Sequence, residues 1–229
     1  MGVAGNYLKV RADMDAAARK AGREPSSVKL VAVSKTVAAE RVIEAVRAGA
    51  SILGENRVQE ALSKMEEMAP LYTAAPPEWH LIGTLQKNKA KHAVGAFTLI
   101  HSVDGIELAR EIDRQAARFG IVQDCLLEVN VAAEESKHGI RPEEALPIVR
   151  EAASMKNIRL VGLMCIPPFT ADAESSRPHF RTLRALRDEI DSAGFPMTEL
   201  SMGMSQDYEA AVEEGATLVR VGTAIFGGR

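Results

Sequence analysis

The sequence predicts one parallel α/β domain, a (β/α)8 (TIM) barrel, on three observations. Short β-rich runs alternate with longer amphipathic stretches along the chain, which is the pattern of parallel α/β folds. Several of the short runs, such as Leu30-Val31-Ala32-Val33, are continuously apolar, as strands buried on both faces are. Eight such runs fit into 229 residues, close to the usual size of a barrel of this kind. A doubly wound open sheet is the rival. It usually carries a glycine-rich turn after its first strand, whereas here the first run ends in Ser34-Lys35-Thr36.

The strands are expected at Lys29–Ser34, Ser51–Gly54, His80–Gly83, Leu99–Val103, Cys125–Val131, Leu160–Cys165, Glu199–Met202 and Thr217–Val221. A helix with Val10, Met14, Ala17 and Ala21 on one face precedes the first strand and caps or flanks the barrel. Val42, Ile43 and Val46 form the inner stripe of the next, closed by Gly49. Asp104 and Glu107 have the spacing of a capping box for a helix that buries Leu108, Ile112, Ala116 and Phe119 and stops at Gly120. His179, Leu183, Leu186 and Ile190 make a similar stripe ending at Gly194, and a last helix runs from Ser205 to Gly215. No composition break divides the chain, so residues 1–229 read as one domain, with residues 1–25 as its leading helix. Pro70–Pro77 is the one surface loop of any length.

Composition narrows the function classes. A net charge of −3 gives no broad basic face, and 4% aromatic residues leave few platforms for base stacking, which argues against nucleic acid. The apolar runs are too short to span a membrane, and the N-terminus has no basic segment followed by an apolar core. The two cysteines, Cys125 and Cys165, are far apart within apolar runs, which fits a reducing cytoplasm. The five histidines lack metal-ligand spacing, so no metal is expected.

Barrels of this class place their chemistry where strands end at their C-terminal side. Lys35 follows strand one directly. Desolvation there favours a neutral, nucleophilic amine, although position alone favours a solvated lysine at a turn. Strand two ends in Gly54-Glu55-Asn56, and strand five is followed by Ser136-Lys137-His138-Gly139. Ser201 to Ser205 and Gly222-Thr223 offer hydroxyls and close backbone N–H groups in the loops after strands seven and eight. Those loops are the usual phosphate site of such barrels, and tight turns explain the same glycines equally well. Arg220 lies between Val219 and Val221 inside an apolar strand, so it requires either an ion pair with a barrel carboxylate such as Glu128 or a ligand.

The runs Leu30-Val31-Ala32-Val33-Ser34-Lys35, Leu53-Gly54-Glu55-Asn56-Arg57-Val58-Gln59-Glu60 and Trp79-His80-Leu81-Ile82-Gly83-Thr84-Leu85-Gln86-Lys87-Asn88-Lys89 resemble the YggS/PROSC family of pyridoxal-phosphate homeostasis proteins. So do Gly162-Leu163-Met164-Cys165-Ile166-Pro167-Pro168, Leu200-Ser201-Met202-Gly203-Met204-Ser205 and Val219-Arg220-Val221-Gly222-Thr223-Ala224-Ile225-Phe226-Gly227, so the likeness runs from about Val28 to the C-terminus. The resemblance implies the barrel of the alanine racemase N-terminal domain, a fold-type III site, and pyridoxal 5′-phosphate held as a Schiff base on Lys35. It implies that Ser201, Gly222 and Thr223 hold the phosphate, that Arg220 faces the pyridine nitrogen, and that Asn56 lines the pocket. Cys165 stands where the family pattern suggests threonine. The implied role is to hold and deliver the cofactor, with no catalytic residue and with apo forms of cofactor-dependent enzymes as recipients. An amino-acid racemase or lyase is the alternative. Racemisation needs a second acid or base opposite the lysine. Alanine racemase-like enzymes take it from a tyrosine of an added C-terminal β-domain in a partner subunit. This sequence stops at Arg229 just after strand eight, and Tyr7, Tyr72 and Tyr208 close no strand. That favours a carrier and a monomer.

Overall fold

The computed structural model describes residues 2–72, 75–132, 134, 138–168 and 172–228. Eight parallel strands close into a barrel: β1 (Lys29–Val33), β2 (Ile52–Glu55), β3 (Glu78–Leu81), β4 (Leu99–Val103), β5 (Gln123–Glu128), β6 (Ile158–Met164), β7 (Glu199–Ser201) and β8 (Leu218–Val221). Each strand pairs with its neighbour in sequence, and β8 returns to β1 with Leu30 opposite Val219 and Ala32 opposite Val221. The predicted barrel is therefore the observed one. Strand three starts earlier than its apolar pattern suggests, because Glu78 donates its N–H to the Ser51 carbonyl at 2.8 Å and pairs with Ile52.

Alternation along the strands produces two cores. Val31, Ile52, Leu99, Leu126, Met164 and Leu218 pack on one another inside the barrel. The intervening residues, among them Leu53, Leu81, Leu127, Leu163 and Val219, pack outward under the helices. The helical layer comprises α1 (Val3–Lys20), α2 (Ala39–Arg47), α3 (Val58–Met68), α4 (Ala90–Ala93), α5 (Ile106–Phe119), α6 (Ala145–Ala152), α7 (Arg177–Ser192), α8 (Tyr208–Glu213) and α9 (Thr223–Phe226).

Two helical expectations need correction. The Asp104–Glu107 capping box does not form, because an extended Gly105 occupies the N-cap of α5. Phe119 is 58% exposed instead of buried. Gly120, at φ 64°, ends α5 in a Schellman turn, where Gly120 N–H reaches the Ala117 carbonyl and Ile121 N–H reaches the Ala116 carbonyl, both at 3.2 Å. That turn swings Ile121 against the core. In α7 the buried stripe begins at Phe180 rather than His179. The last long helix starts three residues late, at Tyr208, after a turn in which Asp207 Oδ1 accepts from Met204 N–H at 2.7 Å.

The leading helix flanks the barrel. After β8 the short α9 follows, and α1 fills the outer layer between α8 and α2, packing on α2, α8 and α9. Asn6 Nδ2 donates to the Ile225 carbonyl (3.1 Å), Tyr7 Oη to the Gly49 carbonyl (3.0 Å) and Arg23 Nη1 to the Val212 carbonyl (2.7 Å). Among the described residues, no helix is long and apolar enough to cross a membrane.

Met14, on the inner face of α1, is fully buried. Met14→Ala should therefore lower the unfolding free energy by about 2–5 kcal/mol in urea titrations, the cost of a core cavity. A loss below about 1 kcal/mol, the usual range of a surface substitution, would mean that α1 is not part of the barrel's core.

Candidate functional site

The chain leaves β1 in a tight turn. Val37 N–H donates to the Ser34 carbonyl (3.0 Å), with Lys35 and Thr36 between them. Thr36 takes φ 61°, a left-handed conformation that a β-branched residue reaches only under strain. The turn is held from below and from the side. Ser34 Oγ donates to Glu55 Oε1 (2.7 Å), and Lys64 Nζ donates both to the Ser34 carbonyl (2.6 Å) and to Glu55 Oε1 (2.5 Å). Thr36 N–H donates to Glu60 Oε1 at 2.5 Å. Glu55 and Lys64 are both buried, and burial lifts the Glu55 carboxyl above the usual range despite the hydrogen bonds from Lys64 and Ser34. The result is a fixed backbone from which the half-buried Lys35 side chain reaches the barrel mouth.

That mouth is a cavity of about 1200 Å³, somewhat larger than ordinary ligand sites. Lys35, Asn56, Ser205, Arg220, Gly222 and Thr223 all line it. Asn56 Oδ1 is buried there without a hydrogen-bond partner among the described residues. The Asn56 backbone is wedged against Gly83, where an added Cβ would lie 2.4 Å from the Asn56 carbonyl oxygen, so only glycine lets the β3 loop approach this closely. Across the cavity, Gly203 at φ 91° turns the loop after β7 beneath α8. The Ser205 hydroxyl oxygen accepts from Gly222 N–H (3.2 Å) and Ala224 N–H (3.3 Å), gathering a hydroxyl and two amide donors at one point.

Arg220 forms part of the cavity lining and is only 4% exposed. Its Nη1 donates to Ser201 Oγ (2.5 Å) and its Nη2 to the Cys165 carbonyl (2.8 Å). Ser201 Oγ lies 2.9 Å from His101 Nδ1, and His101 Nε2 lies 2.9 Å from His80 Nδ1. This buried chain crosses the barrel interior from β8 and β7 to β4 and β3. Burial keeps both imidazoles neutral: His80 is lowered to about 3, and His101 falls well below the ordinary histidine value. The 3.8 Å approach of His80 Nε2 to Glu78 Oε2 is therefore not an ion pair at neutral pH.

The structure thus brings five of the six expected residues to one cavity and keeps one out. Ser201 ends β7 with its side chain inside the barrel, fully buried between Arg220 and His101, and does not line the cavity. Ser205, four residues on, is the hydroxyl that does. The Arg220–Glu128 ion pair weighed from the sequence does not form, since the guanidinium is taken up by Ser201 and the Cys165 carbonyl. Burial raises the Glu128 carboxyl while Arg220 pulls it down from a distance. The Cys165 side chain is buried away from the cavity lining. Ser136 and Lys137 lie outside the described residues, and His138 lines the cavity. The sequence assigned neither His80 nor His101 a place in the site. Strand parity was the available signal, since His101 is two residues from the inward Leu99.

Residues 7–229 match the family described as alanine racemase, N-terminal domain, which puts the chain in that class of barrels. An alanine racemase from Clostridium difficile in complex with cycloserine superposes with a TM-score of 0.74 over 97% of this chain and 60% of its own, and at 16% identity the likeness speaks to fold alone. Within the class, the chain belongs to the family of pyridoxal phosphate homeostasis proteins. A protein of that name from Aquifex aeolicus is 46% identical over 93% of this chain and 92% of its own length. PipY of Synechococcus elongatus, solved with PLP bound, is 36% identical, with a TM-score of 0.84 over 98% of this chain and 100% of its own. The resemblance read from the motifs is borne out.

Two measurements check the electrostatics. Glu55→Ala would leave the buried Lys64 with only the 3.6 Å approach of Glu60 and should cost about 3–5 kcal/mol in urea unfolding. A cost below about 1 kcal/mol would show that the pair is not the anchor of this turn. The folded pKa of His80 lies below its unfolded value of 6.5, so its contribution is complete above pH 6.5 and is lost as pH falls toward 3. Between pH 6.5 and 5, stability should fall by up to about 1.4 kcal/mol per pH unit for each such histidine, and His80→Gln should flatten that slope. An unchanged slope in the variant would refute the assignment.

Proposed function

We propose that this protein binds pyridoxal 5′-phosphate as a Schiff base on Lys35 and holds it for delivery, without turning over amino acids. The observation that carries the reading is convergence. An amine on a fixed turn, a hydroxyl with clustered amide donors and a buried guanidinium all face one cavity. These donors fit the cofactor part by part. Lys35 offers the amine for its aldehyde. Ser205, with the backbone around Gly222 and Thr223, offers donors for its phosphate. Asn56 Oδ1, buried and unpartnered, offers an acceptor in the same cavity. The names carried by the relatives, and the PLP-bound PipY structure, support the same reading.

Arg220 fits a carrier, although arginine also serves at the ring nitrogen of enzymes that use this cofactor. Bound pyridoxal phosphate acts as an electron sink most strongly when its pyridine nitrogen is protonated, and an acidic partner secures that proton. An arginine has donors only. At the ring nitrogen it would donate a hydrogen bond and leave that nitrogen without a proton, so the site would hold an exchangeable aldehyde and be weak at breaking bonds to Cα. Tyr7, Tyr72 and Tyr208, weighed as racemase acids, do not line the cavity. Tyr208 Oη is instead 3.2 Å from Asp13 Oδ2. In this reading the partners are the cofactor and apo forms of enzymes that use it. A monomer in the cytoplasm fits two buried cysteines that form no disulfide.

Purified protein should absorb in the visible range, and borohydride should bleach it and leave a pyridoxyl group on Lys35 by mass spectrometry. Lys35→Ala should be colourless. A pyridoxyl group found only on another lysine would overturn the site. Sustained racemisation of L-alanine or L-serine, followed by chiral analysis, would overturn the carrier.

A further inference from the structure

Arg220 is a buried cation, and among the described residues it makes no ion pair. Glu128 and Asp207 act on it only from a distance. Burying a charge without a contact partner is costly, so hydrogen-bond acceptors must meet it directly. The chain through Ser201, His101 and His80 does so, and its two ends fix its direction. At one end the guanidinium can only donate, so Ser201 Oγ accepts from it at 2.5 Å. The serine proton then points to His101 Nδ1, 2.9 Å away, which must be bare. His101 therefore carries its proton on Nε2 and donates to His80 Nδ1 at 2.9 Å, so His80 carries its own proton on Nε2. That proton faces Glu78 Oε2 at 3.8 Å, a group that can only accept when ionised. The reverse order would set the bare His80 Nε2 against a carboxylate and leave the serine proton without an acceptor in the chain. Every dipole in the chain thus turns its electron-rich end toward Arg220.

We propose that His101, acting with Ser201 and His80, is a positioning residue for Arg220: a one-way hydrogen-bond chain across the barrel holds the guanidinium at the cavity and stands in for a counter-ion. The neutrality of both histidines agrees with this, because a charged imidazole would repel the arginine. The chain is a feature of the protein alone. Only its effect on bound pyridoxal phosphate rests on the function proposed above.

Long-range ¹H–¹⁵N correlation spectra of the protein without added cofactor test the direction. His80 and His101 should both appear as neutral Nε2–H tautomers. A proton on Nδ1 of His101, or a charged ring at pH 7, would overturn the proposal. Removing the acceptor tests the consequence. In His101→Leu, pyridoxal phosphate should be retained about tenfold less tightly, the effect of about 1.4 kcal/mol, and its visible absorption maximum should move. His101→Gln, which keeps an acceptor, should restore both in part. Unchanged affinity and spectrum in a folded His101→Leu variant would overturn the positioning role. If His101→Leu does not fold, Ser201→Ala carries the same readout. If wild-type protein binds no pyridoxal phosphate, the proposed function fails, while the tautomers still decide the chain.

Discussion

A closed parallel sheet has no edge and two buried faces, and this constraint governs every functional side chain here. Alternate residues of each strand enter a narrow interior that six apolar side chains already fill. A polar residue admitted to that interior must find its partner among the other inward side chains or the backbone, because a closed sheet offers no free edge. Arg220, Ser201, His101 and His80 satisfy one another in this way. Above them the strands stop, the wall opens into loops, and the guanidinium forms part of the cavity. The site is where the interior polar layer meets the mouth.

On the turn that follows the neighbouring strand β1, Lys35 is fixed by different means. Its turn carries a strained Thr36 and rests on a buried ion pair, both of which cost stability unless their surroundings hold them. Ser34, Glu55, Glu60 and Lys64 form that surround, drawn from β1, β2 and α3. The two sides share a logic: a group facing the cavity is immobilised by protein neighbours, all but Glu60 buried away from the cavity lining, so its geometry is set before any ligand arrives.

The barrel was legible in the sequence because strands buried on both faces are continuously apolar and helices between them keep a regular stripe. Strand ends were less legible, since the apolar pattern does not register pairing such as Glu78 with Ile52. Lys35, Asn56, Arg220, Gly222 and Thr223 share one cavity because each sits at or near the C-terminal end of a strand. Ser201 was misplaced by the same rule. It is the last residue of β7, but parity turns its side chain inward, and only the count along the strand separates it from Ser205. The Asp104 cap failed because an extended glycine intervened, and Phe119 was exposed because Gly120 brought Ile121 inward in its stead. The His80–His101–Ser201 chain joins strands distant in sequence, and no local pattern encodes such a link.

The seating of α1 bears on how the chain reaches its fold. Helix α1 packs on α2 but is fully covered only once α8 and α9 are in place, and Asn6 bonds to Ile225 across 219 positions. The first strand likewise waits for β8 before its second edge is paired. During translation, β1 therefore emerges with an open edge and α1 with an uncovered apolar face, and both stay so until almost all the barrel has left the ribosome. Contacts this distant make closure slow, so the nascent barrel depends on shielding of its N-terminal segment for most of its synthesis.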